Sequence, residues 1–272
     1  MFFAPLVAAA AVAAPPVYVD PSWSPNGRLI AFTSAGSGPD DLFVMRADGT
    51  RVRQLTHAAG AGGASMPAWS SDSRTIAFDY GYDGIWVVNV DGTGLRPILR
   101  HGCCAAWSPG GRRLAYARGG EIEPASIYVA RPDGTGAQVV ASPPENHSLT
   151  TPTWSPDGQK LAFDIGQASD LGFNVRKQLG IISRYGGPIT KIAAGTDPFE
   201  PDWSRDGRRI VFSDQFREVA VLDLRTRKVR RLRPGQHPSW SPGASTIVFS
   251  TVRGGIYAMN ADGSHVRRLL PK

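Results

Sequence analysis

Cysteine is scarce in this sequence. Only Cys103 and Cys104 occur among its 272 residues, and they are neighbours in the chain. A bridge between neighbouring cysteines needs a small strained ring, so this pair does not form an ordinary disulfide framework. We expect two thiols, buried or partly exposed.

The sequence also lacks the short motifs that mark many catalytic sites. It contains no Gly-x-Ser-x-Gly elbow, no His-Glu-x-x-His zinc motif and no phosphate-binding loop. An active site that is assembled from scattered residues leaves no local motif. The absence therefore argues against an enzyme only modestly.

Long apolar runs are missing as well. The apolar stretch over residues 2–14 is too short for a membrane-spanning helix, which needs about 20 apolar residues. It ends in small residues, as the hydrophobic part of a secretory signal does, although it contains no Lys or Arg. We interpret residues 1–14 as a signal peptide, or alternatively as a disordered N-terminus, and expect a periplasmic or extracellular protein.

Turn-forming residues, by contrast, are abundant. The 31 Gly and 22 Pro accompany a hydrophobic content of 42%, which favours a turn-dense globular β protein over a disordered chain. The net charge of +7 could attract an acidic partner. Because the basic residues are spread along the chain and are not gathered into one patch with stacking aromatics, we expect no nucleic acid partner.

One phrase returns six times along the chain. The copies are PSWSPNGRLIAF from Pro21, PAWSSDSRTIAF from Pro67, AAWSPGGRRLAY from Ala105, PTWSPDGQKLAF from Pro152, PDWSRDGRRIVF from Pro201 and PSWSPGASTIVF from Pro238. The Trp residues of successive copies are 37 to 49 residues apart, close to the length of one propeller blade. We expect these tryptophans, and also Trp86, to pack between sheets, and the Ser after each repeat Trp to cap the turn that follows.

Each copy is followed by a second pair of strand-like runs, such as GIYAMNADGSHVRRLL from Gly255. Runs of β-branched and aromatic residues separated by Asp-Gly predict hairpins, so one repeat corresponds to four antiparallel strands. No helical periodicity lies between the six units, and a closed ring leaves the fewest unpaired strand edges exposed.

The sequence therefore predicts an all-β protein, a six-bladed β-propeller with four-stranded blades. It forms a single domain over residues 15–272, with blades starting near residues 21, 67, 105, 152, 201 and 238. Whether residues 17–19 add a strand across the seam stays open.

The Pro-x-Trp-Ser-Pro-Asp-Gly phrase, its Ile-Ala-Phe strand and the later Ile-Tyr-Val-Met-Asn-Ala-Asp-Gly run resemble the WD-like repeat of the TolB propeller family over residues 21–270. The resemblance implies a six-bladed propeller, usually exported, that holds another protein or accompanies a catalytic domain. We therefore expect an envelope-associated monomer with a protein partner. The sequence leaves open whether the chain is part of a larger protein.

The variable segments are expected to share one face of the propeller. In a four-stranded meander, the loops between second and third strands and the connections between blades lie opposite the stereotyped turns, and variable loops on a fixed scaffold often bind partners. The candidate binding residues of this loop face are His57, Tyr80, Tyr82, His101, His147, Asp197, Glu200 and His237. The tyrosines are included because aromatic side chains are favoured in interfaces.

Two functions fit these residues. The first is a protein-interaction or ligand-binding scaffold, not an enzyme and without cofactor or metal, whose partner docks across the loop face. The alternative is a lyase or hydrolase that acts on a glycan or peptide at the channel mouth through the histidines and Glu200. Histidines and carboxylates that converge there could also bind a divalent metal, a question that their irregular spacing leaves open.

Overall fold

The computed structural model describes residues 17–35, 39–57, 62–81, 84–119, 124–167, 177–192 and 197–270. The segment 1–14, interpreted above as a signal peptide, and the candidate residue Tyr82 lie outside these ranges. Within them, no helix has the length and apolar character that crossing a membrane requires.

The described chain forms β-strands that alternate with tight turns and loops. The strands of the first three sheets are β1 (Val17–Trp23), β2 (Leu29–Ala35), β3 (Asp41–Arg46), β4 (Arg53–Gln54), β5 (Ala64–Trp69), β6 (Thr75–Tyr80), β7 (Ile85–Asn89), β8 (Arg96–Leu99), β9 (Cys103–Trp107), β10 (Leu114–Arg118), β11 (Ser126–Ala130) and β12 (Gln138–Ala141). Those of the last three are β13 (His147–Trp154), β14 (Lys160–Gln167), β15 (Gln178–Ser183), β16 (Thr190–Ile192), β17 (Phe199–Trp203), β18 (Arg209–Ser213), β19 (Glu218–Asp223), β20 (Val229–Pro234), β21 (Gln236–Trp240), β22 (Thr246–Ser250), β23 (Ile256–Asn260) and β24 (Arg267–Leu270).

The strands form six four-stranded sheets, which we number blades 1 to 6. In each blade, four consecutive strands pair antiparallel in chain order. The first strands of successive blades contact one another around the ring, and β21 of blade 6 contacts β1 of blade 1. The predicted all-β, six-bladed propeller is confirmed.

The seam of the ring closes by direct packing of blade 6 against blade 1. Residues 17–19 belong to β1, where Val17 pairs with Ala35 of β2. Across the seam, the backbone N–H of Gly255 donates a hydrogen bond to the carbonyl of Tyr18, at 3.3 Å. Residues 17–19 are thus part of the first strand of blade 1, and among the described strands each blade is built from its own four.

The apolar core is divided into six clusters, one between each pair of neighbouring blades. Between blades 1 and 2, Trp69 and Phe78 of blade 2 pack with Leu42 and Leu55 of blade 1, and Trp86 packs against this cluster. The other repeat tryptophans lie in or against the remaining clusters: Trp23, Trp107, Trp154, Trp203 and Trp240. The prediction that the tryptophans pack between sheets is confirmed.

The turn after each repeat tryptophan is closed by the serine that follows it. In blade 5, Ser204 Oγ accepts the N–H of Arg209 at 2.9 Å and donates to Asp206 Oδ1 at 2.6 Å. The same N–H to Oγ bond, 2.9 to 3.1 Å long, is made by Ser24, Ser70, Ser108, Ser155, Ser204 and Ser241. The predicted turn caps are confirmed, and they define a turn face at the end of the channel opposite the loop face.

Candidate functional site

The first strand of each blade lines the centre of the ring, and we call it the inner strand. Every inner strand carries a β-bulge shortly before its tryptophan, where its pairing with the second strand changes register. The residue three positions before each Trp has a left-handed backbone, with φ between +47° and +61°. These residues, which we call the bulge ring, are Asp20, Met66, Cys104, Thr151, Glu200 and His237. A non-glycine residue in this conformation costs on the order of 1–3 kcal/mol and persists only where the surrounding structure imposes it.

Side chains of the preceding blade hold several of these bulges. In each case, the accepting residue directly follows the buried phenylalanine in the second strand of its blade. Its side-chain oxygen accepts the backbone N–H of the bulge residue in the next blade. The pairs are Asp79 with Cys104, Asp164 with Glu200 and Ser213 with His237. Both carboxylate oxygens of Asp79 accept the N–H of Cys104, at 2.9 and 3.0 Å. These bonds join neighbouring blades and provide partners for amides that the irregular pairing would leave unsatisfied.

A cavity of about 300 Å³ occupies the centre of the ring of blades. The bulge ring lines it towards the loop face. The residues after each Trp-Ser pair line it at the turn face: Pro25, Ser71, Pro109, Pro156, Arg205 and Pro242. The bulge-ring residues of blades 5, 6 and 1 carry carboxylate and imidazole groups, whereas those of blades 2, 3 and 4 carry a thioether, a thiol and a hydroxyl. The carboxylate and imidazole groups of the ring are therefore all on one side of the channel.

Asp20, Glu200 and His237 form a cluster that we call the channel triad. The Nε2 atom of His237 lies 3.2 Å from Asp20 Oδ1 and 3.3 Å from Glu200 Oε1. Its other ring nitrogen, Nδ1, lies 2.9 Å from the hydroxyl of Ser250. One imidazole thus contacts carboxylates from both neighbouring blades.

The second oxygen of each carboxylate is also held. Glu200 Oε2 accepts a hydrogen bond from Ser213 Oγ at 3.3 Å. Asp20 Oδ2 accepts the backbone N–H of Met66 at 3.2 Å. Because these bonds fix the second oxygens, the first oxygens stay directed at His237.

Burial raises the pKa of Glu200 to about 7. Attraction to His237 opposes this shift, and the nearby carboxylates of Asp20 and Asp164 add to it. The protonation state of Glu200 therefore changes near neutral pH. Such a site can accept a cationic group or a hydrogen-bond donor, and it can exchange a proton with a bound molecule.

The other predicted histidines and Asp197 lie apart from the channel triad. His57 and His101 are exposed, and His57 Nδ1 lies 3.1 Å from Gln54 Nε2. His147 begins β13, and Asp197 accepts the backbone N–H of Lys177 at 3.0 Å. Among the described residues, no hydrogen bond or ion pair connects these four side chains with the triad.

Tyr80 lies at the end of β6 with its ring against other aromatic side chains. Its centroid is 5.9 Å from that of Phe78 and 5.2 Å from that of Trp86. The ring thus packs against the cluster between blades 1 and 2. Tyr82, the other tyrosine of this loop, is outside the described residues.

Asp20 is the member of the triad that the sequence-based candidates omit. An alignment of the six repeats on Trp could have found it, because Asp20 then shares a column with Glu200 and His237. The candidate histidines are instead grouped because they lie in connections between blades. Since these connections differ in length, they place their residues at different positions relative to the channel.

No protein-family model matches the chain. Among curated proteins, it is similar to the Tol-Pal system protein TolB of Francisella tularensis subsp. mediasiatica (strain FSC147), with 26% identity over 240 residues. This match covers 82% of the chain and 54% of the relative. The chain matches these curated TolB relatives over most of its own length, but it spans only about half of theirs.

Solved structures share the fold. TolB from Acinetobacter baumannii superposes with a TM-score of 0.66 at 18% identity, over 92% of this chain and 62% of that one. An oligogalacturonate lyase in complex with manganese superposes with a TM-score of 0.59 at 13% identity, over 94% and 91%. At these identities, the likeness establishes a common propeller architecture and leaves activity to the chemistry of the site.

Proposed function

Since this chain is a TolB-like six-bladed β-propeller, we propose that it is a binding scaffold of the cell envelope that holds a partner protein at its loop face. The observation that carries the proposal is the channel triad. The triad places two carboxylates and an imidazole in the channel, towards the loop face.

The triad favours a partner that inserts a cationic side chain. Asp20 and Glu200 each direct one carboxylate oxygen at a central imidazole, and the cavity of about 300 Å³ is large enough for a lysine or arginine side chain. A cation near the triad would stabilise the ionised form of Glu200, whose pKa burial raises. The variable loops would then contact the rest of the partner segment.

Selection from a random peptide library on the immobilised protein tests this mode of binding. We expect the selected peptides to be enriched in Lys or Arg. The double variant Asp20→Asn/Glu200→Gln should weaken their binding by more than about tenfold, because loss of a buried charged partner costs roughly 2–5 kcal/mol. Affinities are measured by calorimetry.

A turn-face variant is the matched control. Arg208 is exposed at the turn face, so Arg208→Ala should leave peptide affinity unchanged. Peptides that lose affinity with Arg208→Ala, and keep it when Asp20 and Glu200 are both neutralised, would contradict the loop-face scaffold.

We place this function in the periplasm, which the likeness to TolB favours over an extracellular location. The apolar stretch over residues 2–14 supports export. Fusion of residues 1–20 to a phosphatase that is active only after export tests this directly. A fusion that is produced but stays inactive would contradict export by this segment.

A lyase or hydrolase acting on a glycan or peptide at the channel mouth is the second candidate. The observation in its favour is Glu200, because a carboxyl group with a pKa of about 7 beside a histidine suits general acid–base chemistry. It is the weaker candidate because His57, His101 and His147 do not join the triad. Turnover of an oligosaccharide or peptide that disappears with Glu200→Gln would establish it.

A further inference from the structure

The two cysteines meet because of the bulge in β9. In a regular strand, neighbouring side chains point to opposite faces of the sheet, and two adjacent thiols would be separated. Here the pairing of β9 with β10 shifts register, and Cys104 has a left-handed backbone with φ of +61°. The Sγ atoms of Cys103 and Cys104 consequently lie 2.7 Å apart, and both are free thiols.

A carboxylate from the neighbouring blade completes the cluster. Asp79 ends the buried part of β6, is only 8% exposed, and accepts the N–H of Cys104 with both oxygens. One of its oxygens and the two sulfurs all lie within 4.8 Å of one another. In the described part of the chain, no Lys, Arg or His forms an ion pair with Asp79. A buried carboxylate without a cationic partner is costly, and a bound cation would remove that cost.

We propose that Cys103, Cys104 and Asp79 form a binding site for a thiophilic divalent cation of the zinc and cadmium class. Two thiolates select such ions over Mg²⁺ and Ca²⁺, which prefer oxygen ligands. Binding releases the two thiol protons to water as the metal–sulfur bonds form, without any change of oxidation state.

The geometry suits a tetrahedral ion with one open position. Metal–sulfur bonds of about 2.3 Å and metal–oxygen bonds of about 2.0–2.2 Å place tetrahedral ligand atoms roughly 3.5–3.8 Å apart. The two sulfurs, now 2.7 Å apart, would move apart by about 1 Å to reach this spacing, and each lies within 4.8 Å of a carboxylate oxygen of Asp79. Cys104 also lines the central cavity, which gives an ion an entry path and leaves the fourth position to a water molecule.

Titration of the reduced full chain with Cd²⁺ tests the site. We expect uptake of one ion per chain, seen as sulfur-to-cadmium charge-transfer absorption and by calorimetry, with displacement by Zn²⁺ and none by Mg²⁺. Cys103→Ser and Cys104→Ser should each abolish the absorption band at stoichiometric Cd²⁺. Asp79→Asn should lower the affinity by about tenfold or more. Prior oxidation of the two thiols should prevent uptake.

Asp164→Asn is the matched control, because Asp164 of blade 4 holds the equivalent bulge at Glu200 of blade 5, where no dithiol lies beside it. It should bind Cd²⁺ as the wild type does. Failure of the reduced wild type to take up Cd²⁺, or wild-type affinity in the double Cys→Ser variant, would overturn the proposal. Wild-type affinity in Asp79→Asn would overturn the three-ligand site. The serine variants are nearly isosteric, and their far-ultraviolet circular dichroism verifies that they fold.

Discussion

His237 Nε2 lies 3.3 Å from Glu200 Oε1, although the two residues occupy the inner strands of different blades. Both residues stand three positions before a repeat tryptophan and share the left-handed backbone of the bulge ring. The contact is therefore a consequence of the repeat, because equivalent bulges in adjacent blades point their side chains into the same channel.

The first prediction concerns pH. Burial raises the pKa of Glu200 from its ordinary value of 4.5 to about 7. Between these values, the folded protein retains a proton that the unfolded chain has released. The contribution of Glu200 to stability is thus fully present below pH 4.5 and is lost as the pH rises through about 7. Glu200→Gln should remove this share of the decline in melting temperature between pH 5 and pH 7.5, as measured by thermal unfolding.

Glu145→Gln serves as the control, since Glu145 is exposed and lies outside the channel. It should leave the pH dependence of the melting temperature unchanged. An identical pH profile for wild type and Glu200→Gln would show that Glu200 does not titrate in this range.

The second prediction concerns the bonds that hold the bulges. Ser213 is fully buried, accepts the N–H of His237 at 3.0 Å and donates to Glu200. Ser213→Ala leaves a buried donor without its partner, which costs roughly 1–3 kcal/mol of unfolding free energy. It should also raise the pKa of Glu200 further, because the lost hydrogen bond favours the ionised form. Denaturant unfolding measures the first effect, and a pH titration of stability the second.

An exposed serine provides the comparison. Ser142→Ala, outside the described strands of blade 3 and exposed, should change the unfolding free energy by less than about 0.5 kcal/mol. Equal costs for Ser142→Ala and Ser213→Ala would remove the assigned role of Ser213.

The fold was predictable because its determinants are local and repeated. A Trp-Ser phrase and a strand with an aliphatic residue, a small or β-branched residue and an aromatic residue recur in all six repeats, and an Asp-Gly turn recurs in several of them. The capping role of Ser204 and its five equivalents followed from their place beside a turn, and the hydrogen bonds confirm it.

The candidate site is predictable only in part. Glu200 and His237 are among the sequence candidates and Asp20 is not, although all three stand three positions before a repeat Trp; that this position carries a bulge facing the channel is seen only in the strand pairing. His57 and His101 were grouped with them by their presence in connections between blades. Those connections differ in length, so their residues take different positions relative to the channel.

The third prediction concerns the turn caps. Ser204 accepts the N–H of Arg209 and bonds Asp206, so Ser204→Ala leaves the first turn of blade 5 without its internal acceptor. The expected loss is about 0.5–2 kcal/mol of unfolding free energy, by analogy with other side-chain caps. Ser204→Thr, which keeps the hydroxyl, should lose less than Ser204→Ala. Calorimetric unfolding of the three proteins distinguishes the missing hydroxyl from a general intolerance at this position.

The fourth prediction concerns the packing between blades. Phe163 is fully buried in the cluster between blades 3 and 4, where it packs with Trp154 and Ile165. Phe163→Ala should lower the unfolding free energy by about 3–5 kcal/mol, through lost apolar burial and the cavity left behind. Phe216 is 65% exposed, and the guanidinium of Arg231 lies 5.1 Å from its ring centroid, so Phe216→Ala should cost less than about 1 kcal/mol. If the blades were independent units joined only by their connections, the two changes would differ little. A large difference in denaturant midpoint is therefore the signature of a ring held together by its six interfaces.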